Sequence, residues 1–100
     1  MRDDVLDFDT LAEAGMLLCE EVYASEALAE ACALDAEYAF AQLEAAIEAG
    51  APRPVVAELA DEVDRQRERM YWQRVDAGMW ATIHNRTMWR LNAARHERRH

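Results

Sequence analysis

Lysine is absent from this chain, and its entire basic complement is eleven Arg. Glycine occurs three times and proline twice in 100 residues, so few positions interrupt a helix. No apolar run approaches the roughly 20 residues of a membrane-spanning helix. The opening Met1-Arg2-Asp3-Asp4 is acidic and carries no signal-peptide core, so a soluble cytoplasmic protein is expected. Two cysteines, Cys19 and Cys32, make no disulfide framework. On one continuous helix they stand about 20 Å apart, far beyond bridging distance, and read as small buried apolar residues. Glycine-rich phosphate loops, nucleophile elbows and paired-cysteine motifs are likewise missing.

Acidic residues are what the chain has in excess, and they are sorted by position. Residues 1–64 hold seventeen Asp and Glu against two Arg, whereas residues 65–100 hold nine Arg against three acids. The formal charge is −9, divided into −15 and +6. A small folded chain of this kind is a dipolar object suited to charged partners or to copies of itself. Alanine accounts for twenty residues, so large apolar side chains are fewer than the 52% hydrophobic content suggests.

One all-helical domain over residues 1–100 is expected. Thr10 and Glu13 stand at capping-box spacing and open the first helical half, 10–49. Gly50-Ala51-Pro52-Arg53-Pro54 supplies a helix-ending glycine followed by prolines, with Pro54 as a first helical residue. The second helical half covers 55–96. Ser25 and Gly78 are possible break points, which leaves two architectures open: an antiparallel helical hairpin with arms of about 60 Å, or a bundle of three or four shorter helices. The hairpin is favoured. It buries only one side of each arm, and so implies a dimer.

Plotted at 100° per residue, Glu26, Glu30, Glu37, Glu44 and Glu48 fall within a sector of about 40° and form a stripe about 33 Å long. Leu28, Cys32, Ala36, Ala39, Leu43 and Ile47, with Phe40 at the margin, form the inward sector. The stripe gains nothing for the helix itself, because like charges four residues apart repel. It is either a solvated face or a surface for a basic partner.

All three tryptophans lie in the second half, each with a methionine close by: Met70-Tyr71-Trp72, Met79-Trp80 and Met88-Trp89. Trp80, Ile83, His84, Thr87 and Leu91 share a stripe that reads as core. Trp89 lies about 180° from Trp80, so both cannot enter one core face. Trp72, Met88 and Trp89 are therefore candidates for a partner or dimer contact. Arg67 and Arg74 fall on an apolar side of their helix and are expected to meet carboxylates of the first half.

These features argue against chemistry. The only Glu-x-x-His is Glu97 to His100 at the chain end, and Glu58 and Glu62 lack the matching His, which disfavours a di-iron bundle. His84 reads as a hydrogen-bonded core residue. No catalytic residue, metal or cofactor is expected. Direct nucleic-acid binding by the Arg-rich tail is disfavoured by the net negative charge. The expected function is a small acidic non-enzymatic interaction protein that binds and inhibits or regulates a basic protein partner. Nucleic-acid-handling machinery is one such partner, in the manner of phage-encoded inhibitors such as anti-CRISPR proteins or antiactivators, to which size, acidity and lack of a catalytic signature are similar. A structural homo-oligomer is the alternative, with the acidic half of one copy meeting the basic half of another. A metal-binding bundle enzyme is the remote third.

Overall fold

The computed structural model describes residues 8–98, so the acidic start of the chain and the final Arg99 and His100 lie outside it. Among the described residues there are two helices, α1 (Phe8–Glu48) and α2 (Arg53–Arg98), packed side by side as an antiparallel hairpin. The molecule measures 72 × 20 × 14 Å with a radius of gyration of 21.7 Å, against about 13 Å for a compact domain of this length. The bundle of three or four helices is thereby overturned.

Neither possible break interrupts its helix. Ser25 is buried, and its hydroxyl donates to the Val22 carbonyl at 3.1 Å. That hydrogen bond satisfies the polar group inside the helix, so no cap is needed. Gly78 sits in a continuous helical run with open space around its Cα. Its cost of about 1 kcal/mol relative to Ala is borne by the packing on either side of it.

The turn follows from its residues. Gly50 adopts φ of 69°, a left-handed conformation that a side chain resists. The Ala51 N–H donates to the Ala46 carbonyl at 3.0 Å and the Gly50 N–H to the Ile47 carbonyl at 3.1 Å, which together form a Schellman cap. The Pro52 carbonyl then accepts from Val55 at 3.0 Å and Val56 at 3.2 Å. Helix α2 thus starts at Arg53, one residue before Pro54, which occupies a first-turn position where a missing N–H costs nothing.

Burial along α1 recurs in alternating steps of three and four. Leu11, Gly15, Ser25, Ala29, Cys32, Ala36 and Ala39 are buried, with Leu18, Val22, Leu43 and Ala46 half-buried in the same progression. On α2 the same steps run through Val56, Leu59, Val63, Gln66, Met70, Gln73, Ala77, Trp80, His84, Thr87, Leu91 and Ala94, all buried or half-buried. This is the 3.5-residue repeat of a left-handed coiled coil. The middle of the α1 seam is built of small residues, and Cys32 is fully buried there. Phe8 with Arg95, Gly15 with Met88, Asp35 with Arg69, and Phe40 with Arg67 show the register of the two arms.

The seam corrects part of the expected core. Leu28, Phe40 and Ile47 are exposed, as is Ile83, while Ser25 and Ala29 are buried in their place. Trp80, His84, Thr87 and Leu91 do line the seam, and Trp89 points away from it with 81% of its surface exposed.

Candidate partner-binding surfaces

A two-helix hairpin encloses no cleft, so its binding capacity resides in its outer faces. Helix α1 carries ten carboxylates, from Asp9 to Glu48, and no basic residue. Glu26, Glu30, Glu37, Glu44 and Glu48 are all exposed. In the 3.5-residue frame they divide. Glu30, Glu37 and Glu44 are seven residues apart and run in one line for about 21 Å. Glu26 lies to the seam side of that line and Glu48 on the opposite side. None of the five forms an ion pair within 4.0 Å among the described residues.

Glu37 and Glu44 border a shallow concavity whose other rim is Arg67 and Arg74, with Ala36, Phe40 and Met70 between them. Among the described residues the expected carboxylate pairs of Arg67 and Arg74 do not form. The Arg67 guanidinium lies over the Phe40 ring, 5.6 Å from its centroid, and this cation–π contact places it beside the acids without bonding them. Among the described residues the ion pair that joins the arms is Arg69 with Asp35 at 3.8 Å. Both partners are more than half exposed, so the pair contributes little. Within α2, Glu62 accepts from Gln66 Nε2 at 2.8 Å and from Arg65 Nε at 3.0 Å, and these bonds hold its carboxyl below the usual range, Gln66 most strongly.

Trp72 and Trp89 are exposed, whereas Met88 turns inward against Gly15, where an added Cβ would meet its Sδ at 3.3 Å. The sequence grouping of Trp72, Met88 and Trp89 therefore divides between two faces. Among the described residues no three His, Cys, Asp or Glu side chains converge on a common point, and neither helix is long and apolar enough to cross a membrane.

A further feature went unread in the sequence. Ala24, Ala27, Ala31, Leu34, Tyr38, Ala41 and Ala45 are all exposed and follow the same three–four steps as the seam, with Leu17 in line beyond Glu20, which occupies the intervening step. They form a second apolar stripe on the back of α1, bordered by the line of Glu30, Glu37 and Glu44. The repeat is present in the sequence, and looking for a second 3.5-residue period would have found it. No family model, curated protein or solved structure matches this chain.

Proposed function

We propose that this chain is a non-enzymatic interaction protein whose acidic arm docks a basic protein surface and thereby inhibits or regulates its owner. The supporting observation is the back of α1: an apolar stripe about 32 Å long from Ala24 to Ala45, exposed throughout, with Glu30, Glu37 and Glu44 along its border. A helix of an isolated hairpin needs one apolar face, and α1 has two. The small side chains of the second face allow a partner helix to approach closely, and the carboxylates steer and orient a basic one. Cytoplasmic nucleic-acid-handling machinery, rich in basic grooves, is the partner class this charge suits.

The triple variant Glu30→Gln, Glu37→Gln, Glu44→Gln tests the proposal in affinity capture from the source cell, at low and at moderate salt. Exposed sites of this kind leave the fold intact, so a lost basic partner reports on the surface itself. Undiminished recovery by the triple variant at both salt concentrations would remove the acidic line from the proposal.

A further inference from the structure

The back of α2 carries a stripe of its own, and it differs from that of α1 in size and charge. Trp72, Val75, Met79 and Thr82 follow the three–four steps without interruption, and Trp72 and Met79 are 58% and 57% exposed. Tyr71 meets Trp72 edge to face, with ring centroids 5.2 Å apart, so the indole is supported in its outward position. Two open apolar hollows lie along this one helix, one between Val75, Met79 and Ile83, the other against Trp89. So much aromatic and methionine surface on one helix face marks an interaction site.

The ends of the stripe say what covers it. Arg65 and Glu68 precede its apolar centre, and Arg86 and Trp89 follow it. A parallel copy would set Glu68 against Glu68 and Arg86 against Arg86, two like-charge contacts at the interface. An antiparallel copy reverses the order, and every end residue then meets a complement. We infer that α2 pairs with α2 of a second copy of this chain, antiparallel, about a two-fold axis near Ala77. Val75 packs on Met79 of the second copy and Trp72 on its Thr82. Glu68 pairs with Arg86 of the second copy, and Arg65 lies over its Trp89, each contact occurring twice by symmetry. Gly78 stands beside the axis, where its missing side chain leaves room for the two helices. This inference uses the opposite arm from the proposed basic-partner surface and holds or fails independently of it.

Sedimentation of the purified chain over about a hundredfold range of concentration tests the pairing. The expected species at the upper end has twice the 11.5 kDa mass of one chain. Glu68→Arg alone and Arg86→Glu alone each set like charges together and are expected to weaken association at least about tenfold. The double variant carrying both changes restores the pair in reversed polarity and is expected to return to within a few-fold of the original. Circular dichroism shows that all three remain helical. A chain that stays monomeric throughout, single reversals that leave association unchanged or strengthen it, or a double variant that fails to recover would each overturn the inference. Met79→Glu, expected to abolish the dimer, overturns it if the dimer persists, since association would then use another face.

Discussion

Gly50 is the residue whose role is most directly tied to its chemistry. Its positive φ closes the Schellman cap that turns the chain, and nothing lies within 4 Å of where a Cβ would be. The penalty for Gly50→Ala is therefore conformational, with no steric part from neighbours, and should lower stability by about 1–2 kcal/mol in chemical denaturation. Gln66 and Gln73 pose a different question. Both stand in the seam, seven residues apart, and the side-chain carbonyl of each is buried without a hydrogen-bond partner. Gln66 is tied by its amide to Glu62, and Gln73 has no such tether. Gln73→Leu should accordingly stabilise the hairpin by about 1 kcal/mol, because it removes an unsatisfied acceptor and adds apolar contact. A fall in the denaturation midpoint would show that Gln73 is satisfied in solution. Glu62 gives a small pH dependence whose sign is fixed. Its folded pKa is lowered, so its contribution is present above the unfolded carboxylate range and is lost as pH falls through the folded value. Glu62→Gln should flatten that part of the stability profile below about pH 4.5.

At the level of the helices, the seam explains both what the sequence disclosed and what it concealed. Helix ends were legible within two residues, because Gly50 and the two prolines act locally and their effects do not depend on tertiary packing. The inward face was less so. A straight helix plot assumes 3.6 residues per turn, whereas supercoiled arms repeat every 3.5, and the two frames part by about 20° per heptad. Across three heptads the drift is enough to draw Leu28 in at one end of the sector and Ile47 at the other, although both are exposed. The outward turn of Trp89 survived because a 180° separation tolerates such drift. Two expectations went differently for other reasons: Met88 turns inward against Gly15, and Arg67 lies over an aromatic ring in place of a carboxylate. The small-residue seam has a direct consequence. Ala36 is buried between the arms among Ala29, Cys32 and Ala39, so Ala36→Leu forces the helices apart and should cost about 1–3 kcal/mol. Ala31→Leu, on the exposed back of the same helix, should be close to neutral. Thermal melts of the two variants compare the faces directly, and equal effects would contradict the assignment of the seam.

For the whole molecule, antiparallel pairing redistributes the charge that the sequence sorts by position. At the open end, the acids of early α1 share the same stretch of the rod with Arg86, Arg90 and Arg95 of late α2, so opposite signs offset each other there. At the turn end they do not. Residues 37–48 and 53–68 together carry eight carboxylates against Arg53, Arg65 and Arg67. The excess negative charge is thus concentrated at one end of a rod 72 Å long. Repulsion there opposes folding. The attractive terms are few and exposed, since Asp35–Arg69 is the ion pair linking the arms among the described residues. Screening should relieve more repulsion than it removes attraction, so stability should rise with salt from about 10 mM, where the Debye length is about 30 Å, to about 150 mM, where it is about 8 Å. The Glu68→Arg variant is the chain to use, because self-association through α2 would add an opposing salt dependence. If its melting temperature falls across that range, ion pairing outweighs repulsion in the hairpin, and the turn end is neutralised by contacts other than those seen here.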